Sequence, residues 1–107
     1  MMKRLAILSA LTLAALPATA ADDTSIELMA QNCGVCHGFD GREFNEAMPP
    51  LAGMSAQNFA TAMKAFRDGS RPAIVMDRVA KALTDTQIDG LATFYAAKPA
   101  TQLGAKE

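Results

Sequence analysis

The chain's two cysteines and its single histidine fall within five consecutive residues, Cys33-Gly34-Val35-Cys36-His37. Thiolates and imidazoles bind transition metals, and cysteine pairs also form disulfides or exchange them. On a helix, residues three positions apart lie on the same side, about one turn from each other. The ligand and thiol chemistry of this chain is therefore concentrated at one point.

Three interpretations of this pattern fit poorly. A thioredoxin-type redox pair needs a preceding strand and a βαβ context, and neither is visible. A structural zinc site needs four ligands, and a plain disulfide leaves the adjacent histidine unexplained. The spacing C-x-x-C-H is instead that of covalent haem attachment, in which both thiols form thioethers and the imidazole binds the iron. The sequence predicts one haem c, attached at Cys33 and Cys36, with His37 as an axial ligand.

The N-terminus has the pattern of a secretory leader. Lys3 and Arg4 precede a short apolar run, and Ala18-Thr19-Ala20 is a small-residue cleavage pattern. The run is shorter than the roughly 20 residues that span a bilayer. We expect a signal peptide over residues 1–20, cleaved after Ala20, and a single haem domain over residues 21–107 in the periplasm.

Charge and size narrow the class of protein further. Without the leader the chain would have a net charge of −3, so neither nucleic acid nor an anionic membrane surface is indicated as a partner. A domain of this size buries little apolar area, and much of its apolar content is alanine. A bound apolar cofactor would enlarge the core.

Hydrophobic spacing predicts a first helix that delivers the cysteines, with Thr24 or Ser25 as its N-cap. Glycine, proline and charged residues then predict a long ordered loop from Gly38 to Gly53. The apolar positions of the first helix are Ile26, Met29, Ala30 and Cys33.

Two further helices have clear start and stop signals. Ser55 is the expected N-cap of the second helix and Gly69 its end. Thr84 and Gln87 form a capping box that opens the third helix, which Pro99 ends. No strand is indicated, so the fold class is all-α, with three main helices and loops. The expected core residues include Phe59, Phe66, Leu91 and Tyr95.

The order of these features resembles the single-haem class I cytochromes c over roughly residues 26 to 97. In that family an N-terminal helix, the attachment motif, a proline loop, a methionine ligand and a C-terminal helix follow one another. Besides the attachment motif, the turn Pro49-x-Leu51-x-Gly53 carries the resemblance. The resemblance implies a small cytochrome c fold around the haem. It also implies that the carbonyl of Pro49 accepts the ring N–H of His37, with Pro50 as the alternative if the loop register differs.

Met76 is the expected sixth ligand of the haem iron. It follows an irregular apolar segment between two helices, where a short helical turn is also expected. Met29 and Met63 fall on inward helix faces, where a methionine is usually a packing residue. Met48 adjoins the proline loop on the side of His37, and Met54 stands at a helix start.

A narrower resemblance points to the cytochrome subunit of flavocytochrome c sulfide dehydrogenases. It rests on Phe66-Arg67-Asp68-Gly69, Arg71-Pro72 and Val75-Met76. It implies a flavoprotein partner that oxidises sulfide. Arg67, Arg71 and Arg78 are expected to be solvated charges, with Arg71 as the first candidate to pair with a haem propionate.

His/Met ligation leaves no open position on the iron, so it predicts an electron-transfer protein rather than an enzyme. The chain is then either the electron-accepting subunit of a sulfide-oxidising flavoenzyme or a free electron shuttle to an oxidase or reductase. A haem enzyme or gas sensor requires a labile sixth ligand.

Overall fold

The computed structural model describes residues 23–42 and 48–100. These ranges contain no strand, and the predicted all-α fold is confirmed. No helix among them is long and apolar enough to cross a membrane. The predicted signal peptide and residues 101–107 lie outside the described residues. The helices are α1 (Asp23–His37), a 3-10 turn (Phe39–Gly41), α2 (Ala56–Asp68), α3 (Met76–Lys81) and α4 (Asp85–Ala96).

The first helix is longer than its hydrophobic spacing predicts. It begins at Asp23, so Thr24 and Ser25 lie inside it and the predicted N-cap is wrong. It continues through His37 and ends where Gly38 takes a positive φ of 81°. The whole attachment motif therefore lies at the C-terminal end of α1.

The predicted boundaries of the other two main helices are confirmed. The Ser55 hydroxyl accepts a hydrogen bond from the backbone N–H of Asn58 at 3.2 Å, and Gly69 ends α2 in the left-handed conformation. At the start of α4, Thr84 and Gln87 form both bonds of the capping box, at 2.9 Å and 3.2 Å. These caps fix where the segment between α2 and α4 begins and ends. The expected helical turn in that segment is α3, which starts at Met76.

The helix α4 lies at the centre of the core, packed against α1 and α2, and α3 packs against α2. The helix α4 contributes three residues that are almost completely buried, Ile88, Leu91 and Tyr95. The Tyr95 ring stacks on Phe59 of α2, with 5.7 Å between the ring centroids. The predicted core is confirmed at Phe59, Leu91 and Tyr95, while Phe66 packs against it partly buried.

Two contacts set the crossing of α1 and α4. At Gly90 the helices approach so closely that an added methyl group would lie 2.5 Å from Cδ1 of Ile26. Further along, the hydroxyl of Tyr95 donates a buried hydrogen bond to the carbonyl of Ala30 at 3.1 Å. Since the attachment motif is the next turn of α1, this crossing positions the motif.

Replacing Gly90 with alanine should therefore destabilise the protein by about 1 kcal/mol. Overpacking costs about 1–3 kcal/mol, and the higher helix propensity of alanine offsets up to about 1 kcal/mol of it. Gly34→Ala is the matched control, because Gly34 is also helical but has no atom within 4 Å of an added methyl. Its free energy of unfolding should stay unchanged or rise.

Denaturant unfolding of both variants measures the difference. Ile26→Val, which removes Cδ1, should recover part of the loss in a double variant with Gly90→Ala. Equal stability of Gly90→Ala and Gly34→Ala would contradict the close approach of the two helices.

Candidate haem attachment site

The last turn of α1 presents the three side chains of the motif together. Cys33 is half-buried, Cys36 is exposed, and both are free thiols. His37 is only 6% exposed. A helix places the two thiols on one side and about one turn apart, as attachment to two points on one edge of a flat group requires.

The imidazole of His37 is held by a hydrogen bond from its Nδ1 to the carbonyl oxygen of Pro49, at 2.7 Å. A carbonyl can only accept, so Nδ1 carries the proton and Nε2 keeps the lone pair that binds a metal. The bond also fixes the orientation of the ring. In the structure this contact is made by Pro49 and not by Pro50.

A glycine that the sequence analysis did not single out holds the proline loop in place. The carbonyl of Gly41 accepts hydrogen bonds from the backbone N–H groups of Leu51 and Ala52, at 2.8 Å and 3.1 Å. Gly41 has a φ of +69°, and an added methyl would lie 2.7 Å from Cε1 of Tyr95. Only glycine fits there. The loop that carries Pro49 is thereby tied to Gly41, which itself lies against Tyr95 of α4.

Tyr95 also shapes the surroundings of Cys33. Burial raises the pKa of the Cys33 thiol, and a hydrogen bond with Tyr95 partly opposes this effect. Burial likewise raises the pKa of the Tyr95 hydroxyl. Both groups are therefore uncharged near neutral pH, which suits an apolar porphyrin edge. Tyr95 was expected only as a packing residue, and its polar role depends on contacts that the sequence pattern does not encode.

Met76 is partly buried, packs against the core and is the first residue of α3. Met63 is buried in the core, as its inward position on α2 predicts. Met29 and Met54 pack against the core from its edge. The choice of Met76 as sixth ligand stays a prediction.

The three arginines differ in their surroundings. The guanidinium of Arg67 binds Leu83 and Asp85, so this charge is paired, although its side chain remains 30% exposed to water. The guanidinium of Arg71 lies over the ring of Phe66, 4.6 Å from its centroid. Its pairing with a propionate stays a prediction.

The chemistry of the donor set fits a covalently bound haem. Two free thiols lie about one helical turn apart, and the next residue of α1 is a buried histidine whose Nε2 is not used by the bond to Pro49. Within residues 23–42 and 48–100, no three His, Cys, Asp or Glu side chains converge on a point that could hold a bare metal ion. The motif is thus spread along a helix turn, as suits an extended group.

Comparison with known proteins agrees with this assignment. Residues 26–97 match the Cytochrome c family. Cytochrome c-554(548) of Halomonas halodenitrificans is 36% identical over 69 residues, which cover 62% of this chain and 83% of that protein.

Two other relatives have names that state a redox role. The cytochrome subunit of sulfide dehydrogenase of Chlorobaculum tepidum is 35% identical over 69 residues, covering 64% of this chain and 62% of that protein. The thiosulfate dehydrogenase electron acceptor of Stutzerimonas stutzeri is 36% identical over 67 residues, covering 60% of this chain and 31% of that protein. The chain thus spans less than two thirds of each of these two relatives.

Covalent attachment has a direct test. Protein denatured in acid and extracted with organic solvent should keep its colour and show the added mass of haem. Cys33→Ala and Cys36→Ala should each reduce the yield of coloured protein strongly, because each removes one thioether. Val35→Ala is the matched control, since Val35 lies between them, is 84% exposed and should mature normally. Colour that passes into the solvent would contradict covalent attachment.

Proposed function

The chain belongs to the cytochrome c family and binds haem c covalently, and we propose that it carries single electrons in the periplasm through an iron ligated by His37 and Met76. The observation that carries the proposal is the buried His37 at the end of α1, oriented by its 2.7 Å hydrogen bond to Pro49. When bound, the cofactor supplies reversible one-electron chemistry at its iron.

Each residue of the site has a stated part in this function. Cys33 and Cys36 hold the cofactor, and the hydrogen bond to Pro49 keeps the ring of His37 in one orientation, with Nε2 available to the iron. Met76 fills the sixth position and so excludes a substrate. The protein is then an electron carrier rather than an enzyme. The leader pattern at residues 1–20 supports export to the periplasm.

The ligand assignment is tested by Met76→Ala. The variant should lose the near-infrared sulfur-to-iron charge-transfer band and have a lower reduction potential, because methionine ligation raises the potential. Haem attachment should remain intact. Met54→Ala is the matched control, since Met54 is another partly buried methionine at the edge of the core, and it should keep the band.

The opposite result identifies another ligand. A band that survives Met76→Ala and disappears in Met48→Ala or Met54→Ala would show that the assignment is wrong. Rapid carbon monoxide binding by the reduced wild-type protein would favour a labile sixth position, and with it a sensor or enzyme.

The favoured partner is a flavoprotein that oxidises sulfide, for which this chain would be the electron-accepting subunit. The match to the sulfide dehydrogenase subunit supports it. So does an apolar surface beside the motif, where Val35 and Phe39 are 84% and 88% exposed. They line a groove of about 470 Å³ between α1 and α4. Exposed apolar surface of this kind favours a lasting interface over a brief electrostatic encounter.

The charges around the groove agree with a lasting interface. Glu27 and Asp40 line it, but Asp40 is paired with Lys98 at 3.2 Å. Of the charged residues that the structure describes along the groove, this leaves Glu27 to steer a transient partner. A free electron shuttle is the second candidate, favoured by the match over 83% of cytochrome c-554(548), which is named as a cytochrome alone.

The two candidates differ in how sulfide reduces the haem. If the chain is a subunit, sulfide should reduce the isolated cytochrome slowly, and a flavoprotein that co-purifies with it should make reduction fast and catalytic. Phe39→Asp should weaken the complex, whereas Thr61→Asp, at an exposed position of α2, should leave it intact.

Equal reduction rates with and without the flavoprotein would leave only the free-shuttle function. Fast reduction of the haem by a thiosulfate dehydrogenase would instead identify that enzyme as the partner, as the name of the Stutzerimonas relative suggests.

A further inference from the structure

The segment between α2 and α4, residues 69–84, carries Met76 and is anchored at its start to the last turn of α2. The backbone N–H of Arg71 donates to the carbonyl of Ala65 at 3.0 Å. The Arg71 side chain folds back over the ring of Phe66, also on α2. The beginning of the segment is therefore fixed to the end of α2 by these two contacts and by hydrogen bonds from Ser70.

The end of the segment is anchored to the same turn by a single side chain, Arg67. Its Nη1 donates to the carbonyl of Leu83 at 3.2 Å, and its Nη2 donates to Oδ1 of Asp85 at 2.5 Å. The hydrogen bond and the charge of Arg67 lower the pKa of the Asp85 carboxyl. Arg67 thus spans the junction at Thr84, where the segment becomes α4.

Between these anchors the segment is held by packing. Ala80 of α3 is completely buried, and Leu83 packs against the core. The ion pair of Lys81 with Asp77, at 3.5 Å, lies within α3 and joins it to nothing else. Release of the segment at Leu83 would therefore leave the packing of α3 against α2 as the main contact that holds α3 in place.

We infer that Arg67 is a positioning residue for the axial methionine: by closing residues 69–84 onto α2, it holds Met76 where it binds the iron. The inference rests on the proposed His37/Met76 ligation and deepens it. The segment has a closed state with methionine bound and an open state without it, and Arg67 favours the closed state. A ligand that binds only the open state then gains affinity in proportion to the open fraction.

The test uses imidazole as the competing ligand of the oxidised, haem-loaded protein. Arg67→Ala should bind imidazole about three- to tenfold more tightly than the wild type, because charged hydrogen bonds that stabilise the closed state are lost. Amide hydrogen exchange in α3 should accelerate by a similar factor. Arg67→Lys should be intermediate, since a single ammonium cannot reproduce the two fixed donors of the guanidinium.

Lys64→Ala is the matched control. Lys64 pairs with Asp89 at 3.6 Å and also joins α2 to α4, and it contributes less than Arg67 to the low pKa of the Asp85 carboxyl. Its imidazole affinity should stay within about twofold of the wild type. Equal tightening in Lys64→Ala and Arg67→Ala would show general loosening and overturn the inference, as would unchanged affinity in Arg67→Ala.

Failure of the ligand assignment has a different signature. A charge-transfer band that survives Met76→Ala overturns the ligation and this inference together. A band that Met76→Ala abolishes, with no change of affinity in Arg67→Ala, overturns the role of Arg67 alone. If Arg67→Ala does not accumulate, Arg67→Lys and Asp85→Asn give the same comparison with smaller shifts.

Discussion

The rest of the structure depends on the buried hydrogen bond from the Tyr95 hydroxyl to the carbonyl of Ala30. Around it, the Tyr95 ring stacks on Phe59 of α2, and the Tyr95 carbonyl accepts the backbone N–H of Gly53 at 2.9 Å. One residue of α4 therefore fixes α1, α2 and the end of the proline loop. A buried donor that loses its partner costs about 1–3 kcal/mol. The attachment motif and Pro49 come from different parts of the chain and meet because both are anchored to Tyr95, the helix of the motif through the Tyr95 hydroxyl and the proline loop through the Tyr95 backbone carbonyl.

The features that the sequence predicts correctly are those encoded within a few residues. The caps at Ser55 and Thr84 are bonds between a side chain and a backbone group three positions away, so a short window contains the whole interaction. The inward face of α4 follows from its helical period. The predicted start of α1 is wrong because the side chains of Thr24 and Ser25 are both able to cap a helix. Whether either residue caps this helix depends on contacts outside a short sequence window.

The features that the sequence could not predict join distant residues. Tyr95 and Ala30 are 65 positions apart, and Arg67 reaches carbonyl and carboxylate partners 16 and 18 positions away. Nothing in the sequence around Arg67 separates it from Arg78, which is exposed. Gly41 looks like any glycine of a polar loop until Tyr95 is seen against it. Such contacts form only when the helices pack together. Hydrophobic periodicity and helix propensity, which depend on neighbouring residues, therefore cannot predict them.

The two sides of the proposed haem site are held by interactions of different strength. On the side of His37, a buried imidazole donates to a loop that Gly41 ties to the core. On the side of Met76, the segment is held to α2 by the ion pair of Arg67 with Asp85. The side chains of this pair are 30% and 66% exposed. Water and salt weaken such exposed ion pairs far more than buried hydrogen bonds. On the proposed His37/Met76 ligation, the methionine side is therefore the one expected to open first, while the histidine side would keep the cofactor in a fixed orientation.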